Sequence, residues 1–169
     1  MKKLFSPDYI LKSYSELTPE FLSSLGFDAL VLDIDNTLLP YEIALPTDEL
    51  LSWFRTMDDA KIKIAFVSNN NKQRVELFNS SIQYTAFYKS KKPLLKTMKK
   101  ALAVMGASPE KTALMGDQIF TDVFAGKRMG FVTFLVPPIK DKTDAFTRAK
   151  RFFEKPIIKN YYKRMDNKK

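Results

Sequence analysis

Two rhythms of apolar residues alternate along this chain. Short unbroken apolar runs suit strands, and stretches in which apolar side chains return every three or four positions suit helices with one buried face. Ala29 to Leu32 is a run too short for a helix core, as in a strand buried on both faces of a parallel sheet. Further strands are predicted over Lys61–Val67, within 83–88, over Thr112–Met115 and over Phe131–Val136. Thr18 can cap a short helix from Pro19 to Leu25, with Pro19 at its first position and Gly26 at its exit. Thr47-Asp48-Glu49 opens a second helix, whose acidic start suits the positive helix end and whose apolar stripe is Leu50, Trp53, Phe54 and Met57. Val75 and Phe78 mark a third. Leu95, Met98 and Leu102 mark a fourth that ends at Gly106, and a fifth carries Thr121 and Asp122 in its first turns. Strands alternating with helices through short connections predict an α/β fold: a three-layer, Rossmann-like parallel sheet of five strands with helices on both faces.

Composition narrows the chemistry. At 169 residues and 45% hydrophobic content the chain can bury the core of one compact domain. It has no cysteine, which excludes disulfides, thiolate-bound zinc and a cysteine nucleophile, and no histidine. Acid-base work near neutral pH therefore falls to carboxylates, lysines or tyrosines, and a metal ion would be hard and oxygen-bound, with Mg²⁺ the default. Lys2 and Lys3 lead into Pro7 and Asp8 without the apolar run of a secretory signal. No stretch approaches the roughly 18 apolar residues of a membrane span, so a cytoplasmic location is expected.

The first strand ends in Asp33-Ile34-Asp35, two carboxylates one residue apart, followed by the polar turn Asn36-Thr37. Open α/β sheets place ligands at that edge. An acidic turn or a divalent-metal site would show the same residues. Other strand ends supply partners in order: Ser68, then Lys92, then Asp117 with Asp122. Taken alone, Ser68 reads as well as a helix cap, Lys92 as one of a solvated group with Lys89 and Lys91, Asp117 as a turn residue and Asp122 as a helix-start charge. In a parallel sheet all of them reach one edge. Four carboxylates sharing a site repel one another unless cations resolve the conflict, and Lys92 with a divalent ion would do so. Such a site suits a phosphoryl group. Asp33 can attack phosphorus to form an aspartyl-phosphate, and Asp35 can protonate the leaving alkoxide and then deprotonate water. Ser68 and the backbone N–H of Asn69 can hold phosphate oxygens, Lys92 can neutralise them, and Asp117 can hold Mg²⁺ with Asp33, with Asp122 ligating it directly or through water.

Asp33-Ile34-Asp35-Asn36-Thr37-Leu38, Val67-Ser68-Asn69, Lys92-Pro93 and Gly116-Asp117-Gln118-Ile119-Phe120-Thr121-Asp122 resemble the four motifs of the haloacid dehalogenase (HAD) superfamily, over roughly residues 28 to 136. The resemblance implies a phosphatase, because Asp35 is present where dehalogenase relatives lack the second aspartate and ion-pumping ATPases carry threonine. It also implies that the backbone carbonyl of Asp35 ligates the metal. The short gap between the first two motifs is similar to that of members without a large cap domain. The Asp-Asn-Thr-Leu-Leu-Pro and Gly-Asp-Gln-x-x-Thr-Asp runs resemble the YqeG family, related to phosphatidylglycerophosphate phosphatases, which implies a phospholipid headgroup phosphate as substrate.

Pro137-Pro138 is the one plausible boundary, separating a HAD-like domain of residues 1–137 from a C-terminal segment of residues 138–169. From Lys140 onward, eleven basic and four acidic residues carry +7 of the net charge of +9. Phe146, Phe152, Phe153, Ile157, Ile158, Tyr161 and Tyr162 alternate there with Arg148, Lys150, Arg151, Lys155, Lys159, Lys163 and Arg164. Three readings stay open: peripheral contact with an anionic membrane through residues 140–169, packing on the domain, or contact with nucleic acid. Pro156 argues against one unbroken helix. A nucleic-acid or ribosome-associated module with a vestigial site, or a phosphatase of a soluble ester, are the alternative functions.

Overall fold

The computed structural model describes residues 2–140 and 145–166, with side chains over 4–140 and 152–166. Six strands form one sheet: β1 (Tyr9–Ile10), β2 (Ala29–Leu32), β3 (Lys63–Val67), β4 (Thr85–Phe87), β5 (Thr112–Gly116) and β6 (Val132–Leu135). Their order is β1-β6-β5-β2-β3-β4 and every pairing is parallel. Strand ends therefore gather at one edge, and β2, which carries Asp33 just beyond its last residue, lies in the middle. Helices α1 (Pro19–Ser24), α2 (Asp48–Asp59), α3 (Lys72–Asn79), α4 (Lys96–Met105) and α5 (Phe124–Met129) follow the alternation read from the sequence. Thr18 caps α1, accepting from the Phe21 N–H at 3.2 Å, and Thr47 caps α2, accepting from the Leu50 N–H at 3.3 Å.

All four residues of β2 are buried, which is why the run shows no polar alternation. Leu30 and Leu32 join Leu22, Leu50, Phe54, Met57, Phe66 and Phe78 on one face. Val31 joins Ala65, Val67, Met98, Leu102 and Leu114 on the other. Each such aliphatic side chain withdrawn from water contributes about 1.5–3 kcal/mol, which holds the middle strand as a rigid floor. Only a short irregular stretch separates β2 from α2, and no large cap domain appears among the described residues.

Three elements differ from expectation. The sheet has a sixth strand, β1, too short for its own pattern to show; the carboxylate of Asp8 fixes it by accepting from the Thr133 N–H at 2.8 Å and hydroxyl at 3.0 Å and by pairing with Lys127. The segment predicted to open the fifth helix is a π-helical turn, Ile119–Val123, before α5 begins. Finally, α6 (Ala145–Asp166) runs through Pro156. Proline removes one helix bond and crowds the preceding turn, at a cost of about 3 kcal/mol. That cost is offset by packing: Ile157 and Ile158 lie against Ile119, Val123 and Leu135, and Tyr161 donates to the Asp8 carbonyl at 3.4 Å. The side chains of Phe146, Arg148, Lys150 and Arg151, part of the expected basic and aromatic pattern, lie outside the described residues. Among the described residues no helix is long and apolar enough to cross a membrane.

Candidate active site

At the strand-end edge lies a cavity of about 310 Å³ lined by Asp33, Asp35, Ser68, Asn69, Lys92 and Asp122, together with Tyr41, Asn70, Gln118 and Thr121. Asp117 stands beside it: one carboxylate oxygen each from Asp33, Asp117 and Asp122 lie within 4.8 Å of one another. The structure thus brings every sequence-predicted site residue to one place.

The turn after β2 begins with the Asp33 N–H bonded to the Met115 carbonyl at 3.0 Å, which extends the sheet ladder by one residue and aims the carboxylate outward. Asn36 takes a left-handed conformation, φ 63°, which asparagine tolerates better than most residues, and closes the turn with its N–H on the Leu39 carbonyl at 2.7 Å. Thr37 donates its hydroxyl to Asp33 Oδ2 at 3.2 Å. Lys92 Nζ sits 2.7 Å from Asp33 Oδ1 and 2.6 Å from Asp122 Oδ1, an ammonium shared by two buried carboxylates. It is not part of a solvated lysine group. Burial works to lower the Lys92 ammonium, but the charges of Asp122 and Asp33 outweigh it and hold the group above its ordinary value. Burial pushes Asp122 above the ordinary carboxylate range against the pull of Lys92.

Gly116 makes this approach possible. A Cβ there would lie 2.4 Å from Asp122 Cβ and Cγ, so a side chain at 116 would evict the carboxylate. The π-helical turn then aims Asp122 inward, where its Oδ2 accepts from the Gln118 N–H at 3.1 Å and the Thr121 hydroxyl at 3.3 Å.

Ser68 does not cap α3. Asn71 does, accepting from the Arg74 N–H at 2.9 Å, while Ser68 Oγ accepts from the Asn70 N–H at 3.0 Å inside the turn. The Asn69 side chain clamps the backbone of Lys92, accepting from its N–H at 2.7 Å and donating to its carbonyl at 3.3 Å. What Asn69 can offer an anion is its own backbone N–H.

Two partners of Asp35 were missed from sequence. Arg74 places Nε and one terminal nitrogen each 3.0 Å from Asp35 Oδ1, and Asn70 Nδ2 donates to Oδ2 at 2.7 Å. Arg74 also donates to the Ala44 carbonyl at 2.8 Å, tying the acid to the loop that enters α2. One signal was available: a cation in the first turn of a helix opposes the helix dipole and calls for a carboxylate opposite it.

A family model described as HAD-hydrolase-like matches residues 90–152. The chain is 36% identical over 158 residues to the Probable phosphatase YqeG of Bacillus subtilis, across 94% of this chain and 92% of that protein. The chain belongs to the YqeG family of HAD-like phosphatases. This HAD phosphatase is also 26% identical over 169 residues to Phosphatidylglycerophosphate phosphatase 1, chloroplastic/mitochondrial, of Arabidopsis thaliana, of which it spans 48%. Its fold is similar to that of the cobalt-bound deoxy-D-mannose-octulosonate 8-phosphate phosphatase of Haemophilus influenzae, with TM-score 0.53, 12% identity and coverage of 81% of this chain and 90% of that one. A protein from Listeria monocytogenes serotype 4b is alike to a similar degree, with TM-score 0.54, 11% identity and coverage of 70% and 85%.

The HAD phosphatase assembles its acidic cluster wholly from oxygen donors. Asp33, Asp117 and Asp122 bring three buried carboxylate oxygens to one place, Lys92 pairs with two of these aspartates, and a hard divalent cation fits such a set of oxygen donors.

Proposed function

We propose that the chain is a Mg²⁺-dependent phosphomonoesterase working through an aspartyl-phosphate, and that it removes the phosphate of phosphatidylglycerophosphate. The observation that supports the chemistry best is the shared ammonium: Lys92 holds Asp33 at 2.7 Å inside a cavity to which Ser68, Asn69, Asn70 and Thr121 bring hydrogen-bonding groups. Asp33 attacks phosphorus, a new P–O bond forms, and the bond to the substrate alkoxide breaks. Asp35 delivers the proton that the departing alkoxide takes up. In the second step Asp35, now a carboxylate, takes a proton from water as that water attacks phosphorus, and the Asp33 carboxylate departs with inorganic phosphate released. Arg74 and Asn70 fix the position of Asp35 at the cavity wall between these transfers.

Ser68 Oγ, the Asn69 N–H and the Lys92 ammonium receive the equatorial phosphoryl oxygens, where charge concentrates during transfer. Asp33 and Asp117, with Asp122 directly or through water and the carbonyl of Asp35, would hold Mg²⁺, which when bound supplies further neutralisation of that charge.

The lipid substrate rests on the likeness to the plant phosphatase whose name states it. A panel of phosphomonoesters that includes phosphatidylglycerophosphate in mixed micelles tests the proposal. The lipid should be hydrolysed in preference to sugar and nucleotide phosphates, and excess chelator should abolish the activity. Preference for a soluble ester would reject the lipid, and full activity in chelator would reject the metal.

A further inference from the structure

Building on the reading of a lipid phosphate as substrate, we propose that the rim of the active-site edge is itself the surface that docks this enzyme onto bilayers containing anionic lipid. The loop leading from Asp35 toward α2 leaves Tyr41, Ile43 and Leu45 48%, 43% and 52% exposed. After β4, a second loop of the same edge exposes Tyr88 and Leu94 on either side of Lys89 and Lys91. Single exposed apolar residues are ordinary on any protein. Their placement on two strand-end loops of one sheet edge, with Tyr41 lining the polar cavity, marks a surface that meets an apolar partner.

Charge identifies that partner. Lys89 and Lys91 adopt left-handed backbone, φ 45° and 54°, a conformation unfavourable for residues with a side chain, and both are exposed while Lys92 beside them is buried. Among the described residues neither has an ion pair. Glu42, the acid of the first loop, is already paired with Lys140 at 2.9 Å. The rim therefore carries free positive charge among exposed apolar side chains, the combination that suits an anionic interface. Tyr41 of this rim and Lys92, next in the chain to Lys91, line the cavity into which a headgroup phosphate would pass. The basic helix α6 is less suited, because Ile157 and Ile158 are committed to the core and Glu154 is held at the backbone N–H of Ile119, 2.7 Å away.

Co-sedimentation of the full chain with phosphatidylcholine vesicles, with and without phosphatidylglycerol and at low and high salt, tests this, beside turnover of a small soluble phosphomonoester. Wild type should bind only the anionic vesicles, and salt should weaken binding. The double variant Lys89→Gln/Lys91→Gln should bind roughly 30-fold more weakly at low salt, and Ile43→Ser/Leu45→Ser at least about tenfold more weakly. Both should keep soluble turnover. Phe152→Ser/Phe153→Ser, on the exposed side of α6, should bind as wild type. The proposal is overturned if wild type ignores anionic vesicles, if the rim variants bind normally, or if only the α6 variant loses binding. Rim-dependent binding without hydrolysis of phosphatidylglycerophosphate would uphold the docking surface and reject the substrate alone.

Discussion

Replacing Lys92 with methionine keeps the length and apolar stem of the side chain and removes the ammonium that lies 2.7 Å from Asp33 and 2.6 Å from Asp122. Both carboxylates and Asp117 are at least nine-tenths buried, so water cannot enter freely to solvate the charge left behind. Breaking a buried ion pair from one side costs roughly 3–5 kcal/mol. For a chain of this size each kcal/mol moves the melting temperature by about 2–4 °C, so Lys92→Met should melt roughly 6–20 °C below wild type in chelator. A divalent cation should restore part of that loss, because it brings charge to the same cluster; saturation at a hundredfold excess over Kd is worth about 2.7 kcal/mol. The Mg²⁺-induced rise in Tm should therefore be larger in the variant than in wild type. The gap also has a pH signature. The Lys92 ammonium is held above the ordinary 10.5, so its stabilisation is whole below that value and fades only as pH climbs through the higher folded value. The ammonium's own contribution should stay flat from neutrality to mildly alkaline pH, while the gap should narrow on acidification as Asp122, no longer drawn down by Lys92, takes up a proton. Paired calorimetric scans with chelator and with Mg²⁺ measure all three quantities. A variant that melts with wild type in chelator, or gains nothing from the cation, would refute the charge argument.

Other perturbations follow from the same geometry. Asp35→Asn should lose roughly 10²–10⁴-fold in turnover and also melt below wild type, since it removes proton transfer, takes the charge from the buried Arg74 pair and turns an NH₂ toward Arg74 or Asn70, both donors; an unchanged rate would remove Asp35 from the mechanism. Gly116→Ala should displace Asp122 and raise the Mg²⁺ concentration needed for activity, read from a metal titration, because its Cβ would lie 2.4 Å from the aspartate side chain. Truncation after Val136 should lower stability by several kcal/mol in urea denaturation, as Ile119, Val123 and Leu135 lose the cover of Ile157 and Ile158 and the Ile119 N–H loses Glu154.

The middle of the fold was legible because burial on both faces leaves a continuous apolar run, as in Ala29–Leu32, and because Thr18, Thr47 and Gly106 mark helix ends by local chemistry. β1 was not legible: its two residues hold their place through Asp8 and Thr133, 125 positions apart, a contact that no local pattern encodes. Pro156 misled for the opposite reason. A local rule against helix was overridden by packing on Ile119 and Val123, which only the tertiary structure supplies. The site residues were readable because each stands directly after a strand or in the turn that follows, where parallel topology sends them to one edge. Their supporting partners were hidden in plain roles. Asn70 and Arg74 look like a turn and a helix surface until the fold sets Asp35 opposite them, and Gly116 shows its purpose only when Asp122 is seen against it.

The central claim is that Asp33 carries the phosphoryl group between the two half-reactions. Wild type and Asp33→Asn, a nearly isosteric change, should be mixed with substrate and Mg²⁺, quenched in acid within the first turnover and weighed intact, then digested to locate any adduct. Wild type should carry one phosphoryl group on the peptide containing Asp33, removable by hydroxylamine as an acyl phosphate is. The variant should remain folded, carry no adduct and release no phosphate. Phosphate release by Asp33→Asn at the wild-type rate, or an adduct on a peptide without Asp33, would contradict the mechanism.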